Sequence, residues 1–295
     1  MALALLAVLI VLVLGSVAPE LTRLRQFLWL RGYIGWLNLR FERQRWWRTE
    51  FGLLLVVVPL IILAALVWHV LDDTLHGLLS FVYGSAMLFL CWGPRDLDAD
   101  ARRAARAESA ADRAEALSAL GVDPAANTTR SSDLVDAVFS SGLTRWFAPV
   151  FWFVAFGPPG VLAYRILQLL AQSPDLRTKL PLLQVEFAER VHAALAWLPA
   201  QLMTLALALA SDFDTVVRAW REHHDAHGQG FFHLDLGFLS ATARAAVDLD
   251  DEDFSTADGA PLSNLAVEEA RRLLWRVLIV WLSLLAVVVL AGWAS

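Results

Sequence analysis

The sequence predicts an all-α, polytopic membrane protein with about six transmembrane helices, within a range of four to six, joined by cytoplasmic helical loops. Three observations predict it. Of 295 residues, 58% are hydrophobic and 18% charged, whereas a soluble domain carries about 45–50% and about 25%. Uncharged runs near 20 residues, the length that crosses about 30 Å of hydrocarbon, recur along the chain. Thirteen tryptophans suit the water–lipid boundary. An ordinary soluble enzyme and a disordered chain are thereby largely excluded. A single cysteine, Cys91, excludes an intrachain disulfide and any multi-cysteine metal site. The net charge of −6 leaves no nucleic-acid footprint, so no nucleic-acid partner is expected. No cofactor is expected either.

The runs define spans near 1–19, 51–71, 74–94, 146–170, 191–211 and 274–293. The first lacks the basic n-region of a cleaved signal peptide, so it reads as a retained helix. The fourth ends at Tyr164 and resumes past Arg165. The fifth contains Pro199 and Gln201, and is read either as a span or as a helix lying in the interface. A backbone in lipid must satisfy its own hydrogen bonds, which makes these runs helices. Loop arginines orient them. Segments 20–50 and 94–145 carry seven arginines each, and 212–276 carries six. An outside N-terminus puts all three arginine-rich regions, near 20–50, 95–145 and 212–272, in the cytoplasm. A multi-pass protein of a bacterial inner membrane is expected, with the lipid bilayer as its first partner.

Between the spans, Leu24, Phe27, Leu28, Ile34, Leu37 and Phe41 recur at helical spacing. They predict an amphipathic surface helix over 20–47, with Trp29, Trp36, Trp46 and Trp47 at headgroup depth. It reads as a lipid anchor, or as a docking surface for a cytoplasmic protein. The alanine-rich stretch 98–120 predicts one helix ended by Gly121. Ser132 or Asp133 caps the helix leading into the fourth span. Helices are expected at 213–222 and around 236–244.

Few constellations suggest chemistry. His223 and His227, four apart, are weak candidates for a metal site, because no further ligand is defined. The acidic run 248–253 lacks the glycine and closing glutamate of a calcium loop. Asn127 opens a glycosylation triplet that would face the cytoplasm. The fourth span carries the most information. Gly157-Pro158-Pro159-Gly160 must break or kink a helix in mid-membrane, and irregular backbone there needs cover from protein or a cavity. Arg165 then snorkels to an interface or faces an anion-binding cavity. The candidate ligand-binding set is Pro149, Trp152, Gly157, Pro158, Pro159, Gly160, Tyr164 and Arg165. No catalytic residue is assigned.

The stretch Ala148-Pro149-Val150-Phe151-Trp152, with Gly157–Gly160 and Tyr164-Arg165, resembles the core of the AmpE family. Residues 196–210, Phe213-Asp214, Ala219-Trp220 and the terminal helix from Leu274 fit the same likeness. That family comprises regulatory signalling modulators of β-lactamase induction and is related to the CobD/CbiB cobalamin-biosynthesis proteins. The synthase branch carries a Glu-Asn pair and an aspartate where this chain reads Val138 to Arg145. It carries an Asn-Thr-Leu-Asp run where this chain has Gln168 to Ala171. The resemblance therefore implies a single AmpE-like membrane domain over 1–295. Such a protein would be a regulatory modulator linked to cell-wall recycling and would bind a cell-wall-derived ligand or a protein partner. The alternatives are a membrane enzyme of the CobD/CbiB type, with ATP-dependent amide synthesis, and a small transporter subunit.

Overall fold

The computed structural model describes residues 2–17, 25, 27–72, 77–93, 97–106, 109–121, 131–226, 234–247 and 260–291. Every regular element among them is helical. The helices are α1 (Ala2–Val17), α2 (Leu28–Phe41), α3 (Gly52–Asp72), α4 (Leu78–Cys91), α5 (Leu97–Arg106), α6 (Ala110–Ala119) and α7 (Ser131–Gly142). Then come α8 (Ala148–Gln172), α9 (Pro174–Arg177), α10 (Leu182–Ala210), α11 (Phe213–Ala226), α12 (Gly237–Ala246) and α13 (Ala260–Leu290).

Among the described residues, four stretches are long and apolar enough to cross a membrane: Gly52–Asp72, Ser131–Gln172, Leu182–Ala210 and Leu265–Leu290. Two apolar helices, at Ala2–Gly15 and Leu78–Cys91, are shorter. At 1.5 Å per residue, α3 is about 31 Å long, the thickness of the hydrocarbon layer. Leu54, Ile62, Leu63 and Leu66 on α3, and Ile279, Leu284 and Val287 on α13, are exposed. On a bilayer helix that outer face is solvated by lipid tails. The all-α, polytopic membrane architecture is what the uncharged runs predict. The fifth run belongs to a helix that starts nine residues earlier than expected and passes through Pro199 uninterrupted.

The chain divides into two compact units. The first holds Met1–Pro94 and Ala148–Ala196. In it α8 packs on α3 and α4, and α1 packs on α4. Gly52 allows a close approach within this unit. A Cβ there would collide with the Gln184 side chain and the Trp47 carbonyl, which are themselves hydrogen-bonded to each other. α2 buries Leu30, Ile34 and Leu37, while Leu28 is 73% exposed. The predicted apolar face was thus rotated at its start. The reason is Asn38, whose Nδ2 donates to the Lys179 carbonyl at 2.7 Å and whose Oδ1 accepts from Trp47 Nε1 at 2.9 Å. These bonds fix which side of α2 turns inward. Trp47, expected at the headgroups, is a core residue, whereas Trp29, Trp36 and Trp46 are exposed.

The second unit holds Arg95–Phe147 and Trp197–Trp293. α13 packs on α5 and α7, α12 on α7, and α11 on α12. The expected single helix over 98–120 is two helices, because Ser109 starts a new one: its hydroxyl accepts from the Asp112 N–H at 3.1 Å, an N-cap. Gly121 ends α6 in the left-handed region at φ 87°, as a C′ glycine does. Asp98 is the polar hub. Its carboxylate accepts from Arg271 at 2.6 Å, from Trp275 Nε1 at 2.8 Å and from Arg102. Asp100 accepts from Arg145 at 3.0 Å. Burial by itself would raise the Asp98 pKa, but the bonds from Trp275, Arg271 and Arg102 outweigh it and hold the carboxyl below its ordinary value. Leu143–Phe147 form a π turn between α7 and α8, a common irregularity at functional positions.

Candidate functional site

The site builds outward from the break in α8. Gly157 sits at φ 66°, ψ −153°, a region open almost only to glycine. Pro158 and Pro159 have no N–H to return to the carbonyls of Val154 and Ala155, four residues back. The bend is sharp. A Cβ on Gly160 would lie 2.5 Å from the Trp152 carbonyl oxygen, although residues eight apart in a straight helix are separated by about 12 Å. Trp152 is anchored at this corner. Its indole N–H donates to the Leu195 carbonyl at 3.0 Å, and its ring stacks on Phe156 with centroids 5.7 Å apart. Pro149 is buried in the first turn of α8.

Arg165 does not snorkel. It is 2% exposed, and its guanidinium donates to Gln168 Oε1 at 2.6 Å. Gln168 Nε2 donates in turn to Gln172 Oε1 at 3.3 Å. Tyr164 is fully buried, with its ring 5.5 Å from that of His192 on α10. The Tyr164 hydroxyl and His192 Nε2 have no hydrogen-bond partner among the described residues. The buried Cys91 thiol lies within Coulombic reach of Arg165. Such a cluster is expensive inside a membrane and marks a functional site by default.

Sequence reasoning proposed a cavity formed jointly by the break and Arg165. The structure separates the two. A cavity does open at the break, lined by Phe153 through Pro158, but Arg165 is not among its lining residues. Tyr164 and Arg165 instead join Gln168 and His192. His192 was missed, although an ionisable side chain inside a long apolar helix is itself a signal. Gln168 was noticed only for what it replaces.

No group of three or more His, Cys, Asp or Glu among the described residues could hold a metal ion. His223 Nε2 lies 3.4 Å from the Asp235 carboxylate, and His224 Nδ1 lies 2.7 Å from the Trp220 carbonyl. His227, the acidic run 248–253 and Asn127 lie outside the described residues.

A family model described as CobD/Cbib protein matches residues 4–230, more than three quarters of the chain. The chain belongs to the CobD/Cbib family. The "Cobalamin biosynthesis protein CobD" of Dehalococcoides mccartyi (strain CBDB1) is 29% identical over 233 residues, 74% of this chain and 75% of that relative. No solved structure matches significantly. The match overturns the expectation of an AmpE-like modulator of β-lactamase induction. That expectation gave two short replaced stretches, 138–145 and 168–171, more weight than the order of elements along the whole chain. In this CobD/Cbib chain the second stretch is not empty of polar function, since Gln168 is the hydrogen-bond partner of the buried arginine.

Proposed function

We propose that this chain is a membrane enzyme of cobalamin biosynthesis. Family membership supports the reading, together with the name of the Dehalococcoides relative. The observation that carries it to particular residues is the buried cluster of Tyr164, Arg165, Gln168 and His192. Two of its polar atoms, the Tyr164 hydroxyl and His192 Nε2, have no partner among the described residues. Leaving a buried donor or acceptor unpaired costs about 1–3 kcal/mol. A ligand that hydrogen-bonds both atoms removes that cost.

The chemistry implied by the resemblance is ATP-dependent amide formation. In this reading Arg165 supplies positive charge to an anionic substrate group, in a low-dielectric setting where such charge is strongly felt. Gln168 holds the guanidinium in place. Tyr164 and His192 bind and orient the substrate. The setting is a bacterial inner membrane, with the arginine-rich segments 20–50, 95–145 and 212–272 in the cytoplasm. The test is complementation of a bacterial strain that lacks its own CobD/CbiB-type protein and depends on cobalamin made from a late precursor. Expression of this chain restores growth and shifts the corrinoid mass profile. Absence of both, with the chain present in the membrane at normal level, refutes the proposal.

A further inference from the structure

We propose that the cavity at the α8 break binds an ammonium group carried on an apolar body. The cavity measures about 490 Å³ and lies within the first unit. Among the described residues its only ionisable lining residue is Asp72. Ser80 beside it donates to Asp72 Oδ1 at 3.0 Å. Among the described residues no basic side chain lines the cavity, and the Asp72 carboxylate favours a cation over an anion.

Three further features point to a cation. Asp72 is the last residue of α3, and a helix C-terminus adds partial negative charge from its unpaired carbonyls. The first half of α8 also ends at this cavity, where Pro158 and Pro159 leave the Val154 and Ala155 carbonyls without their regular donors. Half-helix C-terminal ends and unwound carbonyls are how membrane proteins coordinate cations. Finally, Trp68, Phe81, Phe153 and Phe156 are all in the lining, and aromatic faces attract ammonium groups. The rest of the wall is apolar and includes residues of α1, which accommodates an alkyl portion. A phospholipid with an ammonium headgroup has this chemistry, and so does a soluble alkylammonium. The proposal is independent of the cobalamin reading, because none of the four residues of the buried cluster lines this cavity.

The test uses the full chain in a neutral maltoside detergent and reads the thermal midpoint during lipid titration. Dioleoylphosphatidylethanolamine raises the midpoint, and dioleoylphosphatidylglycerol, with the same tails, does not. Asp72→Asn weakens the phosphatidylethanolamine titration by roughly two- to fivefold, the scale of losing one exposed charge pair. Hexylammonium chloride identifies the source. Competition with the lipid shows that the ammonium on a short chain suffices, while lipid binding without competition assigns the site to the headgroup in its bilayer setting. Equal responses to the two lipids, or no response to either amine, overturns the proposal, as does an unchanged titration in Asp72→Asn. Should Asp72→Asn fail to fold, Ala4→Phe fills the α1 side of the cavity, and an unweakened titration there overturns it equally.

Discussion

Gly157→Ala isolates the feature on which the site is built. At φ 66°, ψ −153° a non-glycine residue pays about 1–3 kcal/mol of backbone strain. A second cost is steric. The new methyl carbon would stand 2.8 Å from the Trp68 ring, and overpacking of that kind costs about 1–3 kcal/mol. The expected destabilisation is therefore about 2–6 kcal/mol, and Trp68→Ala separates its parts. In the double variant the collision is gone and the strain remains, so the cycle should return a coupling of about 1–3 kcal/mol. The assay is denaturant unfolding of the full chain in mixed micelles, followed by helical circular dichroism. Wild-type stability in Gly157→Ala would refute the reasoning, because it would mean that the chain does not turn at residue 157. Zero coupling with Trp68→Ala would refute the steric half alone.

Other predictions concern both units. Asp98→Ala removes the 2.6 Å partner of Arg271 but leaves that guanidinium on Glu268 at 2.7 Å, so it should cost about 1–3 kcal/mol, measured by the same unfolding assay. Because its neighbours hold the Asp98 pKa below the ordinary value, the carboxyl contributes stability above the unfolded carboxylate range. That contribution is lost as pH falls through the lowered folded value. Asp98→Asn should flatten this acid limb of the stability curve, and an unaltered limb would count against the hub. Gly142→Ala drives a methyl to within 2.7 Å of Leu274 Cδ1 and should cost about 1–3 kcal/mol. Leu274→Ala in the same chain should recover part of that cost. Arg165→Ala should abolish complementation at equal membrane level, and Arg165→Lys should restore only a fraction, because a lysine cannot reproduce a fork-shaped donor. Full activity of the alanine variant would remove Arg165 from the site.

Much of this protein was legible as one-dimensional pattern. An uncharged run must become a helix in lipid whatever packs beside it, so the uncharged runs surfaced as helices, although α10 and α13 start well ahead of the runs they contain, at Leu182 and Ala260. The α8 break was legible for the same reason: two prolines after a glycine deny the local backbone its donors in any fold. Gly121 ended its helix where the sequence placed it. Other features were not legible, because they depend on partners distant in the chain. The phase of α2 follows from Asn38 meeting the Lys179 carbonyl, 141 residues away, and no helical periodicity contains that fact. Trp47 became core rather than interfacial through its bonds to Asn38 and Gln184.

The sequence by itself determined that the chain is helical and membrane-bound, and that its fourth span is interrupted near an arginine. Those properties follow from composition and from the valence of proline nitrogen. Only the tertiary structure decided that the interruption and the arginine serve different places. The break opens beside Asp72, while Arg165 turns toward Gln168 with Tyr164 meeting His192. A sequence gives the spacing of two residues along a helix. Which neighbouring helix each one faces is set by the sharpness of the bend and by packing across the unit.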